Sequence, residues 1–253
     1  MPPTAPVADA RFARVDALRG VAMLWMTVFH FCFDLSHFGL WPQEFRTDPF
    51  WTLQRTAIVS LFLLCAGLGQ SIAAAQGQSW SRFWRRWAQI AGCALLVSAG
   101  SAWMFPASYI HFGVLHGMAV MLVVARLTAG WGGALWLAGG IAVASPWLAA
   151  WGLQAAGPEL AAWFNSRWLN WLGWVTRKPF TEDYVPVFPW LGVMWWGMAL
   201  GQYVRRRQAA VLEGRVPAAL YGLAWLGRWS LSYYMLHQPV MIGGLMLWLA
   251  VAR

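Results

Sequence analysis

The 253-residue sequence has few charged side chains, a single lysine and only three cysteines. Charged residues make up 11% of the chain and apolar residues 60%, a balance outside the usual range of soluble domains. Cys32, Cys65 and Cys93 lie inside apolar runs without metal-ligand spacing, which argues against a disulfide framework or a zinc site. We therefore interpret all three as packing residues.

Sequence motifs typical of soluble enzymes are also absent. The chain has no Walker loop, no dinucleotide-binding fingerprint, no G-x-S-x-G elbow and no H-E-x-x-H motif. Gly67-Leu-Gly69 is too weak a pattern for a phosphate loop, and we interpret it as a place of close helix packing. These absences argue against soluble nucleotide chemistry.

Long apolar windows dominate what is present. Several of about 17 to 22 residues can each cross a hydrocarbon core of about 30 Å as a helix. The sequence therefore predicts an all-α, polytopic transmembrane helix bundle of about seven spans, with six to eight compatible, forming one integral membrane domain over residues 1–253. The N-terminal MPPTAPVADA lacks a basic region followed by a cleavable apolar region, so we expect the first helix to stay in the mature protein.

The net charge of +9 comes from arginines at the predicted helix ends. A basic balance alone is compatible with nucleic-acid binding, but this distribution argues against it. Placed in the cytoplasm, these arginines satisfy the positive-inside rule, with a cytoplasmic N-terminus. They are Arg11, Arg14, Arg19, Arg82, Arg85, Arg86, Arg126, Arg205, Arg206, Arg207 and Arg215. Arg82, Arg85 and Arg86 are either anchors alone or anchors that also hold the phosphates of a donor substrate.

The longest predicted external connection, residues 157–184, is not a plain loop. Apolar residues recur there at helical spacing, which predicts an amphipathic helix in the outer interface: Phe164, Trp168, Trp171, Leu172 and Val175. The next helix opens near Pro189, which can break its backbone. The last apolar stretch is too long for one crossing, so we expect a short interfacial piece before a span from about Ser230 to Ala250.

The first predicted helix, about Asp16 to Phe38, carries ionisable residues on one narrow face. At about 100° per residue and with His30 as zero, Asp16 and Asp34 fall at about +40° and Arg19 and His37 at about −20°. Ionisable residues inside a bilayer are costly, so this stripe is a functional hypothesis.

His30 lies 11 residues beyond Arg19, roughly 16 Å deeper along the helix. Asp34, one turn further, is close enough to orient an imidazole, as in general-base or nucleophile-activating pairs. The alternative is a buried polar pair that only locks helix packing. His37 is predicted at the external interface, and Arg19 with Asp16 is predicted to form a structural ion pair.

Three further histidines lie in later segments. His111 and His116 flank Gly113 at an external helix start, and His237 lies inside the last helix. Each alone is more often a satisfied polar residue than a catalytic one. Together with His30 they are predicted to gather at one depth.

The sequence contains six motifs: Arg14 to Gly20, Phe29-His30-Phe31, Phe33-Asp34-Leu35, Phe112 to Gly117, Val187 to Gly192 and Leu236-His237-Gln238-Pro239. These motifs resemble those of the bacterial relatives of the heparan-alpha-glucosaminide N-acetyltransferase catalytic domain. The motifs also look similar to those of the wider group of membrane-embedded acyltransferases. The resemblance implies that His30 is the catalytic residue and that Asp34 orients it. The eukaryotic enzyme has its active histidine beyond the first helix, where this chain offers His37, so either histidine can take that role.

The resemblance implies transfer of an acyl group, most simply acetyl, from cytoplasmic acyl-CoA to a sugar or glycan outside the cytoplasm. His116, His237, Gln238 and Arg19 would line the cavity. We expect no bound cofactor or metal; acetyl-CoA is a co-substrate in the expected reaction, and the lipid bilayer, most simply a bacterial inner membrane, surrounds the chain. The alternatives are a proton-coupled transporter and a non-catalytic membrane partner in envelope assembly.

Overall fold

The structure is a computed structural model that describes residues 12–208, 211 and 216–252. Arg11 and Arg215, which the sequence assigns to the cytoplasmic face, lie outside these residues. Within them the α-helices are α1 (Ala13–His37), α2 (Pro49–Ala75), α3 (Trp80–Met104), α4 (Val114–Leu127), α5 (Ala134–Ala156), α6 (Pro158–Asn165), α7 (Val187–Arg207), α8 (Tyr221–Arg228) and α9 (Ser230–Val251). Short 3-10 helices cover Ala129–Trp131, Asn170–Leu172 and Ala218–Leu220.

The all-helical prediction is confirmed for the described residues. Among them, five helices are long and apolar enough to cross a membrane: α1, α2, α3, α5 and α9. With 14 residues, α4 is shorter, roughly 21 Å at 1.5 Å per residue. The 21-residue α7 ends in three arginines. Seven crossings and a cytoplasmic N-terminus therefore stay predictions, while α8 followed by α9 matches the expected short piece before the last span.

Residue contacts divide the chain into two compact units, residues 1–42 with 203–253 and residues 43–202. In the first unit, α1 packs along α8 and against α9. A Cβ atom added to Gly20 would lie 1.9 Å from the carbonyl oxygen of Leu223, and one added to Gly227 would lie 1.8 Å from that of Asp16. Glycine at these two positions lets the backbones of α1 and α8 touch.

The second unit contains α2 to α6 and most of α7. Glycines again permit close helix contact, because a Cβ on Gly67 of α2 would lie 2.1 Å from the carbonyl oxygen of Met194 on α7. A Cβ on Gly197 would similarly lie 2.4 Å from the carbonyl oxygen of Leu64. The interpretation of Gly67 as a packing residue is therefore confirmed.

The predicted amphipathic helix over residues 164–175 is wrong as a continuous helix. Helix α6 ends at Asn165, whose side-chain oxygen accepts the backbone N–H groups of Thr176 and Arg177 at 3.0 and 3.2 Å. Gly173 has φ +95°, a left-handed conformation that also interrupts a helix. The apolar residues of this segment are instead part of a closed loop. Trp174 of the loop stacks on Phe188 of α7, with ring centroids 5.0 Å apart.

The backbone break expected near Pro189 occurs one residue earlier. Phe188 has φ −101° and ψ 135°, which is extended rather than helical. The interruption therefore lies in the first turn of α7, and the rest of the helix runs on to Arg207.

Candidate functional site

His30 and His237 form the centre of the candidate site in the first unit. Nδ1 of His30 lies 2.8 Å from Nε2 of His237, and the two rings stack with centroids 5.1 Å apart. His30 comes from the C-terminal half of α1 and His237 from the first half of α9, so the α1–α9 contact brings them together. Two of the predicted site residues, 207 positions apart, thus share one hydrogen bond.

The hydrogen bonds fix the positions of the ring protons. Nδ1 of His237 lies 2.7 Å from the backbone oxygen of Tyr234, which can only accept, so this nitrogen carries a proton. A neutral His237 then offers Nε2 as an acceptor, and Nδ1 of His30 must donate to it. The remaining nitrogen of a neutral His30, Nε2, holds a lone pair, and it has no hydrogen-bond partner among the described residues.

Asp34 contacts a different residue from the one that the sequence predicted. We expected its carboxyl group to orient His30, but Oδ1 of Asp34 accepts a hydrogen bond from Nε2 of Gln238 at 2.6 Å. The hydrogen-bond partner of the His30 imidazole is His237 instead of Asp34. Asp34 is 2% exposed, and two atoms of this pair, Oδ2 of Asp34 and Oε1 of Gln238, are buried without a partner in the described part of the chain.

Tyr233 extends the stack of rings and was missed by the sequence interpretation. Its ring lies parallel to that of His237, with centroids 5.8 Å apart and planes 11° from each other. Thr27 donates its hydroxyl proton to the backbone oxygen of Met23, so the hydroxyl of Tyr233 donates to Thr27 at 2.7 Å. The spacing of Tyr233 and His237, four residues apart on one helix, is the signal that could have identified it.

The N-terminal end of the predicted stripe is an ion pair, as expected. Arg19 donates to Asp16 at 2.9 Å and also approaches the carbonyl oxygen of Gly227 at 3.4 Å. Arg19 therefore joins α1 to α8. His37 is exposed at the end of α1, with its ring edge-on to Phe38.

His116 belongs to the second unit, where both of its ring nitrogens are used. The backbone N–H of Gly113 donates to Nδ1 at 3.3 Å, so Nε2 carries the proton and donates to the hydroxyl of Ser98 at 3.0 Å. Ser98 in turn donates to the backbone oxygen of Ile110 at 2.6 Å. These bonds close the turn before α4 onto the end of α3, which is a structural role.

The three arginines predicted to hold phosphates lie on the first turns of α3. Their side chains are exposed, and Ser79 caps the helix by accepting the backbone N–H of Arg82 at 3.3 Å. Arg126, at the end of α4, donates to the backbone oxygen of Gln78 and lies over the Trp80 ring at 5.2 Å. The end of α4 and the start of α3 thus lie side by side.

The second unit also contains an open groove of about 410 Å³, lined by Tyr109, His111, Phe112, Val120, Arg167 and Trp171. Burial is the main factor that lowers the pKa of His111, while its hydrogen bond to Asn170 opposes the shift. None of the predicted catalytic residues lines this groove. Among residues 12–208, 211 and 216–252, no three His, Cys, Asp or Glu side chains are grouped to bind a metal ion.

Comparison with protein-family models matches residues 11–239 to the catalytic domain of heparan-alpha-glucosaminide N-acetyltransferase. Neither the curated proteins nor the solved structures gave a match. The matched range includes His30, Asp34, Tyr233, His237 and Gln238, so the whole candidate site lies within it.

Proposed function

Because the chain belongs to the family of heparan-alpha-glucosaminide N-acetyltransferase catalytic domains, we propose that it transfers an acyl group, most simply acetyl, from cytoplasmic acyl-CoA to an extracytoplasmic sugar or glycan. The observation that carries the proposal is Nε2 of His30, which has no hydrogen-bond partner in the described part of the chain, on a ring whose Nδ1 is hydrogen-bonded to His237. A histidine in this arrangement is the usual general base of acyl transfer, worth about 10²–10⁴-fold in rate.

In the proposed step, Nε2 of His30 removes the proton from a hydroxyl or amine of the acceptor. The freed lone pair attacks the thioester carbonyl carbon, the carbon–sulfur bond breaks, and the CoA thiolate takes the proton back from Nε2. Nδ1 of His30 keeps its own proton throughout and donates a hydrogen bond to Nε2 of His237. This hydrogen bond stabilises the transient imidazolium of His30. The alternative, in which Nε2 attacks the thioester and carries the acyl group, uses the same nitrogen.

His237 is the positioning residue in this proposal, a role that the sequence interpretation gave to Asp34. Its own Nδ1 proton is fixed by the backbone oxygen of Tyr234, so His237 can present only Nε2 to His30. The ring of His237 stacks with the ring of Tyr233 and with that of His30, and these contacts restrain its plane. The donor side of the proposal rests on Arg82, Arg85 and Arg86, whose exposed guanidinium groups suit CoA phosphates.

Proton-coupled transport is the main alternative function, and the hydrogen bonds of His237 argue against it. A relay needs a group beyond His237 that both accepts and releases a proton. The chain from His30 instead ends at the carbonyl oxygen of Tyr234, which has no proton to pass on.

The test is transfer of labelled acetyl from acetyl-CoA, supplied outside inverted vesicles, to an amino sugar trapped inside. We expect His30→Ala to lower transfer by about 10²–10⁴-fold. The matched control is His37→Ala, which removes an exposed histidine from the same helix and keeps the wild-type rate. Full activity of His30→Ala contradicts the assignment, and loss of activity only in His37→Ala moves the role to His37. A pH-driven flux of the sugar without consumption of acetyl-CoA supports the transporter.

A further inference from the structure

The carboxyl group of Asp34 has an environment that suits an acid better than a carboxylate. Its side chain is 2% exposed and receives one hydrogen bond, from Gln238. The ion pairs found among the described residues join Arg19 to Asp16 and Arg46 to Glu182, and neither includes Asp34. An ionised carboxylate offers about four acceptor sites. With one donor and no cation, burying the charge at membrane depth is costly, and such a group takes up a proton instead.

The two unpartnered oxygens at this site point to the same conclusion. Oδ2 of Asp34 and Oε1 of Gln238 are both buried and have no partner among the residues that the structure describes, although Oδ1 and Nε2 of the same two side chains are hydrogen-bonded to each other. Two buried acceptors cannot satisfy each other. A single proton on Oδ2, donated to Oε1, satisfies both atoms and closes a two-point pair between acid and amide.

From this arrangement we propose that Asp34 is a neutral carboxylic acid, paired with Gln238 through two hydrogen bonds, and that this pair positions His237 against His30. Gln238 is the next residue after His237, and Asp34 lies one turn beyond His30, so the pair fixes α9 against α1 beside the reacting ring. Within four residues of the pair along the two helices, the other titratable side chains are His30, Cys32 and His37 on α1 and Tyr234 and His237 on α9. Of these, His30 and His237 are used in their own hydrogen bond. Asp34 is thus a positioning residue.

The spectroscopic test requires no substrate, so it stands apart from the proposed acyl transfer. Infrared spectra of the full chain in lipid at neutral pH should contain a carbonyl band of a protonated carboxylic acid that shifts in D₂O. Asp34→Asn should remove this band, and Gln238→Met should move it, because the acid then loses its partner. Asp16→Asn is the matched control and should leave the band in place, since Asp16 is paired with Arg19. A spectrum without an Asp34-dependent acid band at neutral pH overturns the proposal.

The consequence for the reaction rests on the proposed function and is measured separately. Asparagine reproduces both hydrogen bonds of a neutral acid, whereas leucine of similar size reproduces neither. We expect Asp34→Asn to keep most of the transfer rate and Asp34→Leu to lose about tenfold or more, because Gln238 is left unpaired and His237 loses its support. Loss of transfer in Asp34→Asn equal to that in Asp34→Leu, with both proteins folded, contradicts the positioning role. If no variant or wild type transfers acyl groups, the infrared result still decides the protonation state.

Discussion

Replacement of Gly227 by alanine tests how the contact between α1 and α8 supports the candidate site. The added Cβ would lie 1.8 Å from the carbonyl oxygen of Asp16 and 2.8 Å from the backbone nitrogen of Gly20. To reach 3.0 Å, below which real Cβ contacts are essentially never found, the backbones must separate by about 1.2 Å. Overpacking of this kind costs about 1–3 kcal/mol.

The separation should also reach the chemistry, because only Trp229 lies between α8 and α9. A misplacement of about 1 Å can cost about 100-fold in rate, so Gly227→Ala should lower transfer by about that factor. Thermal unfolding followed by tryptophan fluorescence measures the stability, and the acetyl transfer assay measures the rate.

Gly222→Ala is the matched control on the same helix, since no atom of the described residues lies within 4 Å of its Cβ position. This change should raise stability by up to about 1 kcal/mol through helix propensity and leave the rate unchanged. Equal stability and equal rates in the two alanine variants would refute the reasoning.

Two further predictions concern residues of the second unit. His116→Ala should lower the free energy of unfolding by about 1–3 kcal/mol, because Gly113 and Ser98 lose a half-buried hydrogen-bond partner, while the rate per folded molecule stays at the wild-type level. A rate per folded molecule below the wild-type level would instead indicate that His116 takes part in the chemistry. Replacing the three arginines at the start of α3 by alanine should raise the KM for acetyl-CoA about tenfold without changing kcat, at about 0.5 kcal/mol for each exposed contact. Arg177→Ala is its control, and an unchanged KM in the triple variant would leave these arginines as anchors alone.

The elements of the fold could be predicted from the sequence wherever an apolar window has clear ends. Helix α1 was expected at about 16–38 and is found at 13–37, and α8 and α9 follow the expected short piece and span. Apolar spacing failed between residues 164 and 175, because the hydrogen bonds of Asn165 and the left-handed Gly173 override a helical pattern. The spacing of apolar residues within a segment does not reveal such hydrogen bonds or backbone conformations.

The candidate site was predictable in its members but not in its pairing. The stripe on α1 identified His30 and Asp34, and the His237–Gln238 motif was also recognised, because ionisable residues stand out in an apolar helix. Periodicity along one helix suggested that Asp34 orients His30. The actual partners, His237 and Gln238, come from α9, more than 200 residues away, and spacing within α1 cannot reveal them.

The most direct test of the central claim is the ¹⁵N NMR spectrum of the ring nitrogens of His30 in lipid, assigned by comparison with His30→Ala and His237→Ala. We expect a protonated Nδ1 that is hydrogen-bonded to His237 and an unprotonated Nε2 at neutral pH. In His237→Ala, the preference for a proton on Nδ1 should disappear. A proton on Nε2 of His30 in the wild-type protein would rule out His30 as the general base, because the nitrogen proposed to accept the substrate proton would already hold one.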